Sequence, residues 1–281
     1  GGIGVARTSP AMQLTVPLFV PGDRPDRFEK ALHSGATAVI LDLEDAVAPH
    51  IKAQARLLVV EALRSEGLRA SAMVRVNAAG TAFFEDDLRA LRATPPTGIM
   101  LPKCESADHV RTVARALPQT AIIPIVESIG GLDNARNIAA DPATVALAFG
   151  AYDLAAQLGN MPTWEPMASL RTLVLVAARA HQRLLIDAPF VVLNDEVGLI
   201  QEAERAVEFG FDGKLAIHPR HVPALLEAFT PSDADVEHAR RVLSAVESGG
   251  VAAVDGKMVD PPLVAAARRI LARTAPGGEH V

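Results

Sequence analysis

GIMLPKCESADHVRTVARALPQTAIIPIVES, residues 98–128, decides the fold. It opens on an apolar run, GIMLPK (98–103), and closes on another, AIIPIVES (121–128). Between them ADHVRTVARAL (107–117) repeats apolar residues at spacings of three and four, with charged residues on the other face. Apolar runs without polar alternation belong to strands covered on both sides, and the middle stretch to an amphipathic helix, so the unit is β-α-β with parallel strands. Working outward, the same alternation recurs with LTVPLFV (14–20), AVILDL (38–43), AMVRVN (72–77), VALAFG (145–150), RLLIDA (183–188) and GKLAIHP (213–219), which brings the strands to eight. Helical stretches such as RPDRFEKALHSG and EVGLIQEAERAVEFG end at Gly35 and Gly210, as expected where a chain leaves a helix in the left-handed conformation. Eight such units predict an α/β fold, a (β/α)8 TIM barrel over residues 14–230. Residues 231–281 read as a C-terminal helical arm outside the barrel: a helix, a turn at Gly249 and Gly250, and a final helix. Residues 1–13 lack periodicity and are expected to be disordered or left over from expression.

The 281 residues suit one barrel and an appendage, since such barrels typically take about 250 residues. A net charge of −6 argues against nucleic acid or an anionic membrane as a general partner, and no apolar run approaches the ~20 residues of a bilayer span. A single cysteine, Cys104, and the lack of an apolar leader point to a reducing cytoplasm. No GxGxxG or GxxxxGK[ST] follows a strand, so a dinucleotide fold or P-loop lacks support.

Barrels of this kind build their sites where strands end and βα loops begin. Those positions hold Asp42, Glu44 and Asp45 after the second strand, Arg75 and Asn77 on the third, Lys103 after the fourth and Glu127 after the fifth. Asp153, Asp187 and His218 follow the sixth, seventh and eighth. Glu127 and Asp153 come from neighbouring strands. They either share a hard cation such as Mg2+ or cap the helices that follow. Arg75, in an apolar strand, needs a partner, which is either Glu44 or Asp45 or a substrate carboxylate or carbonyl. Arg24, Arg27, Lys52 and Arg56 lie on the first two loops, where phosphates can be held against the sign of the whole molecule. His218 reads as a hydrogen-bonded framework residue, Asp187 stays ambiguous, and Cys104 reads as inert packing.

The strings LFVPGDRPDRFEKAL, VILDLEDAVAPHIKAQAR, VRVNAAGT, IMLPKCES, PIVESIGG, FGAYDLAAQLG, GFDGKLAIHP and GKMVDPP, in this order, resemble the HpcH/HpaI aldolase and citrate lyase superfamily. The likeness is nearest to its citrate lyase beta subunit-like (CitE-like) branch and runs from Leu18 to about Ala267. The resemblance implies a trimer, a Mg2+ ion, and cleavage or formation of a carbon–carbon bond in a 3-hydroxyacyl thioester. It implies Glu127 and Asp153 as Mg2+ ligands, and Arg75 as the group that binds the oxo-acid part of the substrate. It implies Asp260, delivered to a neighbouring subunit's site, as acid and base. Glu44 and Asp45, from the DLED string, then support metal waters and Arg75, and Gly130, Ala151 and Tyr152 sit at helix starts whose N–H groups receive a substrate carboxylate.

One departure stands out: many relatives carry Arg-Ser before the first strand, where this chain has Leu14-Thr15-Val16-Pro17. The expected substrates are a 2-oxo acid and a CoA thioester, or an acyl carrier protein in place of CoA. Citramalyl-, malyl- and citryl-CoA are the candidates. The competing readings are a metal-dependent aldolase on free hydroxy-oxo acids and an accessory or binding subunit.

Overall fold

A computed structural model of the chain describes residues 13–247 and 253–274. The expectation for residues 1–12 and the turn at Gly249 and Gly250 lie outside the described residues. The eight barrel strands are β1 Pro17–Pro21, β2 Ala38–Asp42, β3 Ala72–Arg75, β4 Gly98–Leu101, β5 Ala121–Val126, β6 Ala146–Phe149, β7 Leu184–Asp187 and β8 Gly213–Lys214. They pair in chain order and in parallel, with helices between successive strands, the (β/α)8 barrel expected from the sequence. All five residues of β2 are buried, as a strand covered by side chains within and helices without must be.

The ring closes because Lys214 and Ala216 donate N–H bonds to the carbonyls of Thr15 and Pro17, and Phe19 returns one to Ala216. Gly213 makes this seam possible: a Cβ there would stand 2.2 Å from the Leu14 carbonyl oxygen. The helix read over residues 24–35 is a 3₁₀ turn, Pro25–Arg27, followed by the short helix Phe28–Leu32, because Pro25 fixes its start. Gly35 and Gly210 both have positive φ, 85° and 104°, as their helix-ending positions require.

The chain divides into two compact units, Leu14–Leu226 and one that runs from Glu227 onward, the division falling within helix Val222–Phe229. In the second unit, helices Asp233–Glu247 and Pro261–Thr274 pack around Ala239, Val242 and Ala267. A two-stranded hairpin, β9 Ala253–Val254 and β10 Lys257–Met258, lies between them in sequence. Its turn residues Asp255 and Gly256 both have positive φ, the requirement of the turn that matches strand twist. Asp255 is held by His238 Nδ1 at 2.9 Å and by both Nη atoms of Arg241.

Candidate active site

Parallel pairing in register puts Asp42 at the end of β2 beside Arg75 at the end of β3. Arg75 Nε and Nη2 donate to the two oxygens of Asp42 at 2.7 and 2.6 Å, a bidentate pair. Asp42 also accepts the N–H groups of Glu44 and Ala46, so this carboxylate is fully engaged. The third guanidinium nitrogen, Nη1, makes no hydrogen bond among the described residues and has only ion-pair contacts to Glu44 at 3.2 Å and Asp45 at 3.8 Å. The Phe19 ring lies 4.7 Å from the guanidinium carbon and fixes the plane of the fork. Burial alone would lower the Arg75 pKa, but the hydrogen bonds and charge of Asp42, with Glu44 and Asp45, hold it above its ordinary value. The main partner is therefore Asp42, while Glu44 and Asp45, which the sequence offers beside a substrate group, make the longer ion-pair contacts through Nη1. The strand register, a long-range property, makes the difference.

Glu127 follows β5 and is 4% exposed. The Lys103 N–H donates to its Oε1 at 2.8 Å. Its other oxygen lies against Gly150, where a Cβ would stand 2.3 Å from Glu127 Cβ and 2.7 Å from Oε2. Burial, then the charges of Glu44 and Asp153, push the Glu127 carboxyl up to about 8, against a partial offset from the Lys103 amide. Asp153 sits in the first turn of helix Ala151–Leu158, just after β6. Neither carboxylate caps a helix. Ser128 accepts from Gly131 N–H at the start of Ile129–Asp133, and Ala151–Leu158 has no side-chain cap.

Arg75, Asp42, Glu127, Asp153, Ala151 and Tyr152 line one cavity of about 300 Å³ at the C-terminal end of the strands. Phe19, Phe149, Leu215 and Ile217 supply apolar wall, and nothing in their residue types distinguishes them from core in the sequence. Arg75 is the cavity's one basic lining residue and is already paired, so Glu127 and Asp153 line the space as oxygen donors with no ion-pair partner among the described residues, and burial with the neighbouring charges disfavours a second bare carboxylate there until a cation is present. This donor set fits a hard divalent cation such as Mg2+, which takes one or two carboxylates and completes its octahedron with water and substrate oxygens. No group of three His, Cys, Asp or Glu side chains suited to a metal occurs among the described residues, which accords with so open a site.

Several expected residues lie elsewhere. Gly130 does not line the cavity. The N–H groups on either side of it go to Gln157 Oε1 and Ser128 Oγ, and a Cβ at Gly130 would stand 3.0 Å from the Glu105 carboxyl carbon. Lys52 is buried, its ammonium bonded to the carbonyls of Leu43 and Glu44 at 2.7 Å. Arg56 pairs at 2.7 Å with buried Asp87, whose other oxygen holds the Asn77 backbone and side-chain N–H groups. Lys52 and Arg56 are thus held by the framework of the barrel rather than offered to a phosphate. Arg24 and Arg27 remain exposed, Arg24 against Asp26.

Asp187 is fully buried between Arg171 and Lys214, at 2.9 and 2.7 Å. Burial would raise its pKa, but those two cations win and lower it. His218 Nδ1 accepts the Arg220 N–H at 3.2 Å and so caps the turn Pro219–His221, a framework role. Cys104 is buried, and burial pushes its thiol up to about 12. Asp260, in the second unit, is exposed and accepts the Leu263 N–H at the start of helix Pro261–Thr274.

Residues 15–219 match the model of the family described as HpcH/HpaI aldolase/citrate lyase. A citrate lyase subunit beta-like protein of Mycobacterium tuberculosis is 42% identical over 91% of this chain and 94% of its own length. A (3S)-malyl-CoA thioesterase of Cereibacter sphaeroides is 37% identical over 91% of this chain and 93% of its own. Among solved structures, CitE of Mycobacterium tuberculosis in complex with magnesium, acetoacetate and coenzyme A superposes with a TM-score of 0.80, at 38% identity over 95% of this chain and 99% of that one. Family model, relatives and shared fold agree: the chain belongs to the HpcH/HpaI aldolase/citrate lyase family.

Proposed function

We propose that this chain is a Mg2+-dependent carbon–carbon lyase that cleaves, or forms, a 3-hydroxyacyl-CoA thioester such as malyl-, citramalyl- or citryl-CoA, with a 2-oxo acid and acetyl-CoA on the other side of the equation. The observation that carries the reading is the pair of carboxylates, Glu127 and Asp153, lining one cavity with the guanidinium of Arg75. Glu127 and Asp153 would hold the ion, which when bound supplies Lewis acidity to the oxygens of the reacting hydroxyl and carboxylate. Arg75 offers Nη1 to the oxygen that becomes the 2-oxo carbonyl, its plane fixed by Asp42 and Phe19. The uncapped first turn at Ala151 and Tyr152 presents N–H groups to the substrate carboxylate. Phe149, Leu215 and Ile217 exclude water from the forming enolate.

As the carbon–carbon bond breaks, the substrate hydroxyl releases its proton to water and its oxygen becomes the 2-oxo carbonyl, the C–C electron pair passes to the acetyl-thioester carbon, and that carbon takes a proton from the carboxyl of Asp260, contributed by a neighbouring subunit. In synthesis the Asp260 carboxylate removes that proton. The reading includes a homo-oligomer, a trimer as the resemblance implies, in which the arm 231–281 packs on a neighbour. It also includes a cytoplasmic setting; no described helix is long and apolar enough to cross a membrane. Arg24 and Arg27 remain as candidates for the CoA phosphates.

A Mg2+-supplemented assay across the three thioesters, detecting released 2-oxo acid, tests the proposal. Glu127→Ala and Asp153→Ala are expected to abolish turnover with the fold intact, and Asp260→Asn to lose turnover while still binding substrate. Full activity in either carboxylate variant sinks the metal assignment. The thioesterase relative supports a second reading, hydrolysis of the thioester. Appearance of a free CoA thiol, which the lyase reaction does not release, separates the two. Turnover of free hydroxy-oxo acids without a thioester would instead favour the aldolase alternative.

A further inference from the structure

Lys103 belongs to no role assigned so far, yet it touches both sides of the site. It follows β4 with φ at 47°, in the left-handed region that a residue with a side chain rarely adopts. That backbone turn aims its N–H at Glu127 Oε1, 2.8 Å away, while its ammonium reaches Glu44 Oε1 at 2.5 Å. Glu44 is buried, and its second oxygen, Oε2, is buried without a hydrogen bond. That same Oε2 stands 3.2 Å from Arg75 Nη1, the one nitrogen of the fork not engaged by Asp42. A buried carboxylate oxygen left unbonded beside a guanidinium N–H is costly, and the stable resolution is a charge-assisted hydrogen bond between them. The hold of Lys103 on Oε1 stands against that resolution.

We propose that Lys103 is a positioning residue that acts through Glu44, keeping Arg75 Nη1 open for the oxygen of a 2-oxo acid. Without its ammonium, Glu44 turns onto Nη1 and occupies the place the substrate carbonyl needs. The effect falls on binding of the oxo acid, and it depends on the charge of Glu44. This inference rests on the proposed 2-oxo acid site.

Titration calorimetry of the whole chain, supplemented with Mg2+, with pyruvate and with oxaloacetate, beside steady-state lyase kinetics, tests it. Lys103→Met is expected to weaken oxo-acid binding about tenfold or more and to raise KM in the synthetic direction by a similar factor, with a smaller change in kcat. Lys103→Arg keeps the charge and is expected within about threefold of wild type. The double variant Lys103→Met/Glu44→Gln, in which the competing carboxylate is neutral, is expected to regain most of the lost affinity, a rescue that general damage to the fold would not give. Wild-type binding by Lys103→Met, or no recovery in the double variant when both melt like the wild type, overturns the role of Lys103 alone. A wild-type protein that takes up neither oxo acid overturns the function reading together with it.

Discussion

Replacing Gly150 by alanine isolates how closely the site is built. Gly150 has φ −105° and ψ 88°, so backbone strain is not at issue; the added methyl group is. Its carbon would lie 2.3 Å from Glu127 Cβ and 3.3 Å from Glu127 Cα, atoms at the base of a side chain that cannot rotate out of the way. Carbon atoms pack at about 3.5–4.0 Å, so Glu127 and the end of β5 would have to retreat by more than 1 Å. Such overpacking costs about 1–3 kcal/mol of stability. A displacement of that size in a group that positions the reaction costs about 100-fold in turnover. The assay is a urea melt beside a Mn2+ titration and the lyase assay. Gly67→Ala serves as control, because nothing lies within 4 Å of a Cβ there and it sits inside helix Glu66–Ser71. Gly150→Ala with wild-type stability, metal affinity and turnover would refute the placement of Glu127 against Gly150.

Other outcomes follow from the same geometry. Asp187→Asn leaves Arg171 and Lys214 buried without their shared carboxylate and is expected to destabilise the fold by about 3–5 kcal/mol in a denaturant melt. Because the folded Asp187 pKa is depressed, its contribution is present above the unfolded value near 4 and is lost as pH falls below it. The wild type should therefore lose stability from about pH 4 downward more steeply than the variant, and parallel acid limbs would count against this. Cys104 in the native protein should resist iodoacetamide at pH 8 and react once urea unfolds it; rapid native labelling would contradict its burial. Arg56→Ala should lower stability without a specific loss of CoA affinity, whereas Arg24→Ala/Arg27→Ala should weaken CoA binding in a salt-dependent manner; the reverse pattern would restore Arg56 as a phosphate contact.

The barrel is legible in the sequence because a parallel strand covered on both faces becomes an apolar run, and eight such runs separated by helical periodicity have few other solutions. Glu127, Asp153 and Arg75 are legible as cavity residues for a related reason: the C-terminal ends of the strands converge on one mouth, where polar residues meet, although Asp187 at the end of β7 serves a buried ion pair instead. Asp42 is not legible as the partner of Arg75, because the pairing depends on register between β2 and β3, about thirty residues apart. Lys52 and Arg56, at i and i+4, look like the solvent face of their helix. They turn inward because the carbonyls of Leu43 and Glu44 and the carboxylate of Asp87 await them. The part Lys103 plays depends on a left-handed φ that no residue type announces.

The seam between β8 and β1 has a consequence for synthesis of the chain. The two strands that close the ring come from opposite ends of the barrel sequence, and the bonds that join them require Lys214 and Ala216. A nascent chain can make the β-α units after the first strand as they emerge, but it cannot satisfy the inner edge of β1 until residue 216 has left the ribosome. Phe19, which orients the Arg75 fork, lies on that waiting strand. Assembly of the cavity that Arg75 and Phe19 line is thereby tied to near-completion of the barrel, and a truncated product ending before β8 would expose a strand edge rather than a partly working enzyme.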